Sequence, residues 1–306
     1  MRLKGCVIPE AMEQDIGLIG FGEAGATFAR AGDWADAAHV FDIKTDNEGA
    51  SRDAMLAAYA DAGVRPAISL DDALNNVSLI ISLVTADQAL SVARMAAGLI
   101  ATGAIFCDMN SVAPQTKQAA AQAIEAAGGH YVDVAVMAPV DPARLNVPLL
   151  LSGGLAGEAE SRLRALGFGK TRVVGADVGR ASSIKMIRSV MVKGIEALTA
   201  ECVLAAQAAD VLDEVLASLD ASEKARPWEA RADYNLDRML VHGLRRAAEM
   251  EEVVKTLEGL GTGAALTRGT VQRQEAIGAL GVKAPPEGLG AKIGVIGFDG
   301  VPARAG

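Results

Sequence analysis

Lys185 stands in the stretch "GRASSIKMIRSVMVKGIEALTAEC", residues 179 to 202, which reads as the start of a long Ala-, Ile- and Met-rich helix. The spacing predicts Lys185 in the first helical turn, just after Ser182 and Ser183. A cation there faces the positive end of the helix macrodipole. Burial and that positive end both disfavour the ammonium form. A lysine brought toward neutrality can exchange a proton with a substrate hydroxyl, which would be general acid/base chemistry. Ser189 lies one turn on, Lys193 two turns on, and Glu196 follows near the same face. Ser189 is placed to hydrogen-bond a reacting oxygen or to hold Lys185. Lys193 is placed to attract a substrate anion. The structural alternative is a solvated polar stripe with a Lys193–Glu196 pair.

A second set of residues has spacing with a physical meaning. "IGLIGFGEAGATFAR" places Gly20, Gly22 and Gly25 as G-x-G-x-x-G, after an apolar strand and before an Ala-rich helix. Gly20 permits a tight turn, Gly22 lets backbone approach a pyrophosphate, and Gly25 lets helix and strand pack closely. The helix N-terminus then faces the phosphates. A plain glycine turn would use the same residues, but the next strand supplies context. "HVFDI" carries Asp42 about twenty residues past the glycines, where an acid bonds the ribose 2′-hydroxyl. A carboxylate there repels a 2′-phosphate, so NAD is favoured over NADP. Lys44 keeps NADP open, because it could reach a phosphate. Glu23 is expected to point to solvent, where it complements the helix dipole. The cofactor contacts expected are Gly20, Phe21, Gly22, Glu23, Ala24, Gly25, Asp42, Ile43 and Lys44. Val84 and Thr85 in "SLVTADQ", and Asn110 and Ser111 in "CDMNSVAPQT", end later strands. Ligands bind outside such strand ends. Val84, Thr85 and Ser111 are therefore added to the cofactor set, with Ser111 also facing substrate. Thr85 and Ser111 would equally serve as helix N-caps.

The elements that must position these groups follow from the pattern. Short apolar runs, "IGLIGFG", "HVFDI", "SLIISLV", "AIFCDMN", "HYVDVAV" and "VPLLLSG", alternate with Ala-rich helical stretches. That alternation implies a mostly parallel sheet covered on both faces, a Rossmann dinucleotide-binding domain over residues 1–178. From Ala181 onward helical stretches follow one another, so residues 179–306 read as an all-helical domain for substrate and dimerisation. The tail from Ala284 is rich in Gly and Pro and is expected to be extended. Its "IGVIGFDG" echoes the N-terminal glycine motif, but Asp299 stands where the middle glycine would. It reads as coincidence or a docking strand.

Composition excludes several classes. The chain has 306 residues, is 51% hydrophobic and 22% charged, and so can build a large core. A net charge of −9 argues against nucleic acid or an anionic membrane as partner. Aromatic residues at 4% are too few for a base-stacking surface. Three scattered cysteines, Cys6, Cys107 and Cys202, have no metal-ligand spacing and suit a reducing compartment. No metal motif and no Ser-His-Asp order is present. The start shows no long apolar run, so no signal peptide is expected and the cytoplasm is the expected location. Arg188, Lys193 and Glu196 interrupt the most apolar helix, which argues against a membrane span.

"GLIGFGEAG", "VFD", "DMNSVAP" and Gly179 six residues before Lys185, in that order, resemble the β-hydroxyacid dehydrogenase and 6-phosphogluconate dehydrogenase-like superfamily. The likeness covers about residues 16 to 200. The helical half, with "KMIRSVMVKGIEAL" and "HGLRRAAEMEEV", resembles a branch whose C-terminal domain long carried an unknown-function label. The resemblance implies a dinucleotide domain followed by a helical domain, a homodimer, and oxidation of a hydroxyl β to a carboxylate or the reverse. It implies that Lys185 acts in acid/base catalysis. The sequence departs from the family after Asp133: Met137, Ala138 and Pro139 replace the Ser-Gly-Gly that commonly contacts substrate carboxylate. Ser189 replaces the family asparagine, and Ala181 stands where glycine is frequent.

"HGLRRAAEMEEV" holds a second polar cluster. Leu236, Met239, Leu240, Gly243, Ala247, Met250, Val254 and Leu257 form one apolar helix face. Arg246 borders it and could clamp a carboxylate bidentately; a salt bridge to a neighbouring acid is the competing reading. His242 lies slightly further round. The expected substrate contacts are Ser111, Met137, Ala138, Pro139, Lys193, His242 and Arg246. They describe a small-molecule substrate with an anionic group, in a cleft between the domains. The reading is an NAD-preferring dehydrogenase with Lys185 and Ser189 catalytic. Imine reduction on the same fold is the first rival, and a non-catalytic dinucleotide-binding protein the second.

Overall fold

The structure is a computed structural model that describes residues 16–222 and 226–297. The chain divides into two compact units, up to Val190 and from Met191. The change of pattern at Gly179 marks the start of a helix, and the division by compactness falls eleven residues further along it.

The first unit is built on one eight-stranded sheet. Its strands are β1 (Ile16–Ile19), β2 (Ala38–Phe41), β3 (Arg65–Pro66), β4 (Leu79–Ser82), β5 (Ile105–Asp108), β6 (His130–Val136), β7 (Leu149–Ser152) and β8 (Thr171–Gly175). They lie in the order β3-β2-β1-β4-β5-β6-β7-β8. All neighbours are parallel except β6 and β7, which pair antiparallel. The order reverses between β1 and β4, which is the switch point where such sheets open a crevice. β1, β4, β5 and β7 are buried along their whole length, as strands covered on both faces must be. Helices α1 (Glu23–Ala31), α2 (Ala50–Ala62), α3 (Leu70–Leu74), α4 (Ala89–Ala97), α5 (Pro114–Ala126) and α6 (Ala156–Ala165) provide that cover. The short strand β3 and the half-exposed β8 carry no apolar run, so periodicity alone does not reveal them.

Helix α7 (Arg180–Ala208) leaves the sheet unit and continues into the second. There it is followed by α8 (Leu212–Ser222), α9 (Trp228–Gly259), α10 (Ala265–Gly278) and α11 (Leu289–Ile296). α9 and α10 cross at two glycines: a Cβ on Gly243 would stand 2.4 Å from the Gln274 carbonyl and 2.7 Å from the Gly278 Cα. Leu240, Ala247, Val254 and Leu257 of the expected α9 face are buried. The Glu201 carboxylate of α7 caps α10, accepting from the N–H of Leu266 and Thr267 at 3.0 Å each. Part of the described tail is helical, not extended. Residues 289–296 form α11, and Lys292 anchors it to α9 through Asp233 at 2.8 Å and Asp237 at 3.4 Å. The apolar part of "IGVIGFDG" is thus helical, so the docking-strand reading fails; its last three residues lie outside the described residues. Strand spacing lost here because Lys292 adds a buried ion-pair anchor and Gly288 supplies the turn into a helix, with φ +86°.

Candidate active site

The glycine turn has the geometry its spacing implies. Gly20 has φ +88°, and a Cβ there would sit 2.4 Å from the Leu83 carbonyl, so β1 and the end of β4 can touch only through glycine. A Cβ at Gly25 would meet the Gly20 carbonyl at 2.7 Å. Gly22 caps α1 and differs: a Cβ there would meet no atom within 4 Å. The open space over the helix N-terminus is therefore what a side chain would fill. Phe21 is buried edge-on against Tyr59, with ring centroids 4.9 Å apart. Glu23 is exposed at the first position of α1, as expected.

Asp42 is held by this turn. Its carboxylate accepts from the Phe21 N–H at 2.8 Å and the Lys44 N–H at 3.0 Å. Two backbone donors fix its orientation, and each oxygen keeps accepting capacity. Ile43 and Lys44 beyond it are exposed. Gly20, Gly22, Glu23, Ala24, Asp42, Ile43, Lys44, Val84 and Thr85 all line one cleft of about 590 Å³. Phe21 and Gly25 shape it from beneath. The residues present fit a dinucleotide: a bare helix N-terminus for the pyrophosphate, an oriented carboxylate for ribose hydroxyls, and apolar walls.

A second cleft of about 410 Å³ shares Glu23, Ala24, Leu83 and Val84 with the first. Asn110, Ser111, Ala138, Pro139 and Lys185 complete it. Asn110, nearly buried, braces two strand ends. Its side-chain oxygen accepts from the Val84 N–H at 2.7 Å, and its amide donates to the Ser82 hydroxyl at 3.1 Å. Neither Thr85 nor Ser111 is a helix cap, because α4 begins at Ala89 after Gln88 and α5 at Pro114 after Ala113. Both are left to line the clefts.

Lys185 donates to the Ser111 hydroxyl at 2.5 Å. It is the sixth residue of α7 and lies in the second turn, not the first. The helix N-terminus is also occupied. The Asp133 carboxylate accepts from the Gly179 N–H at 3.2 Å and from the Ser182 N–H and hydroxyl at 2.9 Å each. A carboxylate on the positive end cancels the field that the spacing argument placed on Lys185. Ser111, not the macrodipole, explains where the lysine points. The Ser189 hydroxyl donates to the Lys185 carbonyl at 2.9 Å, so it holds the backbone and leaves its lone pairs as acceptors. The Arg188 guanidinium donates to the Met137 carbonyl at 3.3 Å.

Beneath this lies a cluster that pattern reading missed. Lys117, fully buried, donates to the Asp108 carbonyl at 2.6 Å and carboxylate at 2.9 Å, and stands 3.5 Å from Asp133. Asp108 also accepts from the Tyr131 hydroxyl at 2.6 Å and the Asn110 N–H at 2.8 Å. Burial, then the charge of Asp108, pushes the Tyr131 phenol far up, so it remains a donor. Burial likewise pushes the Cys107 thiol up to about 12, which keeps it inert. One cation thus ties together the strand end that carries Ser111 and the cap of the helix that carries Lys185. The signal was present: Lys117, Ala120, Ala121 and Ile124 form the buried face of α5, and a lysine in phase with an apolar stripe needs a buried acid.

Lys193, His242 and Arg246 belong to the helical unit, and the side chain of Lys193 lies outside the described residues. His242 and Arg246 are half-buried on α9, and among the described residues the buried Arg246 Nε makes no hydrogen bond. Among the described residues no group of three or more His, Cys, Asp or Glu could hold a metal, and no helix is long and apolar enough to cross a membrane.

Comparison with known proteins agrees with this architecture. Residues 15–166 match the NAD binding domain of 6-phosphogluconate dehydrogenase, and residues 206–277 match a domain of unknown function, DUF1932. A conserved hypothetical protein from Sinorhizobium meliloti 1021 is 36% identical, with 94% of this chain and 96% of that chain covered and a TM-score of 0.60. A conserved protein of unknown function, described as structurally similar to 3-hydroxyacid dehydrogenases, is 28% identical over 86% of this chain and 96% of that one, at a TM-score of 0.55. An imine reductase from Pseudomonas sp. shares the fold at 18% identity and a TM-score of 0.69, covering 92% of this chain and 99% of that one. With its glycine turn, its oriented Asp42 and its DUF1932 helical half, the chain belongs to the 6-phosphogluconate dehydrogenase-like family of NAD(P)-binding oxidoreductases.

Proposed function

We propose that the protein is an NAD-preferring dehydrogenase that acts on a β-hydroxy acid or a related substituted alcohol, with Lys185 as general acid/base. The observation that carries this reading is the 2.5 Å Lys185–Ser111 pair, set in a cleft that shares its wall with the dinucleotide cleft. When bound, the nicotinamide supplies the hydride acceptor or donor. Lys185 takes the proton from the substrate hydroxyl in oxidation and returns it in reduction. Ser111, bonded to Lys185, orients the reacting oxygen between them. Ser189 holds the backbone of Lys185 and offers an acceptor lone pair. Met109, Val136 and Val140 give the cleft an apolar wall beside the proton transfer. Asp42 reads the adenosine ribose and disfavours a 2′-phosphate.

A panel of hydroxy acids, amino alcohols and aryl-substituted alcohols, followed by NADH absorbance, tests the reaction. With the substrate found, Lys185→Ala lowers kcat by about 100- to 10,000-fold, the usual contribution of such a group. Lys185→Arg fails nearly as badly, since arginine cannot release its proton. If arginine retains most activity, the lysine is structural and the reading is wrong. Imine reduction is the second reading, favoured by the apolar wall and by the shared fold of the imine reductases. Turnover of cyclic imines with no turnover of hydroxy acids would select it.

We also propose a homodimer, because Ile187 at 70%, Leu204 at 60% and Leu244 at 56% exposure leave apolar helix faces uncovered. The proposed organisation is a cofactor domain over residues 1–178 and a substrate and dimer domain over 179–306. Lys193, His242 and Arg246 are tested as anion contacts by alanine substitution, where a raised KM with unchanged kcat supports the role.

A further inference from the structure

The substrate cleft has few donors for an anion. Among the thirteen residues that line it, Glu23 and Lys185 are the charged ones. In the turn after β6 the Met137 N–H is spent on the Pro148 carbonyl at 2.9 Å and Pro139 has no N–H, which leaves the Ala138 N–H as the backbone donor between them. The Met137 carbonyl takes one bond from Arg188 at 3.3 Å.

Arg188 is on the same stripe of α7 as the residues that meet the sheet unit. Ala181 donates its N–H to the Ser152 hydroxyl, Lys185 reaches Ser111, and Arg188 reaches Met137. Residues three apart on a helix are about 5–6 Å apart at Cβ. The guanidinium is exposed, and among the described residues it makes this one hydrogen bond out of five available donors. A planar fork with spare donors, one turn from a proton-transfer lysine, matches a carboxylate.

We propose that Arg188 binds the anionic group of the substrate and sets specificity for short acids, in which a carboxylate lies within one or two carbons of the reacting carbon. This rests on the hydride-transfer reading and specifies the substrate class of the same site. Arg188 selects for acids and against neutral imines and alcohols. It does so by a side chain.

The test is calorimetric titration of malonate into the full chain saturated with NADH, compared with the neutral malonamide. Wild type binds malonate, and Arg188→Gln weakens it by about ten- to a hundredfold, the effect of losing charge-assisted hydrogen bonds. Arg188→Lys falls between, because a point charge cannot reproduce the fork. Malonamide binding and NADH affinity stay the same in all three. Failure of wild type to bind malonate, or equal binding by Arg188→Gln, overturns the proposal. A separate failure is distinguishable: if Lys185→Ala turns over normally while malonate binding still depends on Arg188, the hydride-transfer reading falls and the anion site stands.

Discussion

Replacing Lys117 by Met keeps most of the length of the side chain and removes its charge. Lys117, Asp108 and Asp133 are all at most 1% exposed. Asp108 and Asp133 are cross-strand partners on β5 and β6, so without the cation two carboxylates face each other in a dry interior. Removing one partner of a buried ion pair typically costs about 3–5 kcal/mol. The lower end applies here. Asp108 keeps the Tyr131 hydroxyl and the Asn110 N–H, and Asp133 keeps its donors from α7. The expected loss is therefore about 3 kcal/mol. With a urea m-value of roughly 2–3 kcal/mol/M, the midpoint of the sheet unit falls by about 1–1.5 M. The chain has two tryptophans, Trp34 and Trp228. In a Trp228→Phe background, Trp34 fluorescence reports the sheet unit alone, since Trp34 is buried there with its indole bonded to the Leu166 carbonyl. The double change Lys117→Met with Asp108→Asn removes one charge of each sign and recovers most of the midpoint. A shift below about 0.3 M for Lys117→Met, under roughly 1 kcal/mol, would refute the claim that this cation holds the two strands and the start of α7 together.

If Asp42 sets the cofactor choice as proposed, NAD binds at least about tenfold more tightly than NADP, a difference of about 1.4 kcal/mol, in fluorescence titration. Equal binding would assign the choice to Lys44. Gly22→Ala leaves the melting temperature within a degree or so, because its Cβ meets no protein atom, yet weakens NAD by about tenfold or more; unchanged NAD affinity would place the pyrophosphate elsewhere. Gly243→Ala destabilises the helical unit by about 1–3 kcal/mol through overpacking at α10, although alanine favours helix; a gain in stability would refute the close crossing. Burial works against the Glu201 charge, but the Thr267 hydroxyl and the N–H groups of Leu266, Thr267 and Ala265 outweigh it and lower its pKa. Its cap is therefore complete above the ordinary carboxylate range and is lost as pH falls through the lowered folded value. Glu201→Gln should flatten that acid limb in thermal melts; an unchanged limb would assign it to other carboxylates.

Spacing along the chain determined what local sterics and periodicity can determine. Three glycines at G-x-G-x-x-G after an apolar run define the turn, because φ +88° at Gly20 and the 2.7 Å approach at Gly25 tolerate no other residue. The place of Asp42 just past β2 followed from its distance along the chain, and the start of a helix after Gly179 from the change of pattern. Tertiary structure decided what depends on groups far apart in sequence. Asp133 neutralises the α7 terminus from 46 residues away, so the dipole argument for Lys185 could not be settled locally. Ser111 was expected as a lining residue, but its bond to Lys185 spans 74 residues. Lys117 lies on the buried face of α5, and the two carboxylates that neutralise it come from the ends of separate strands. The tail broke from its composition because Lys292 found Asp233 on α9. A buried charge is stable only with its partner in place, and partner positions are properties of the fold, not of the spacing.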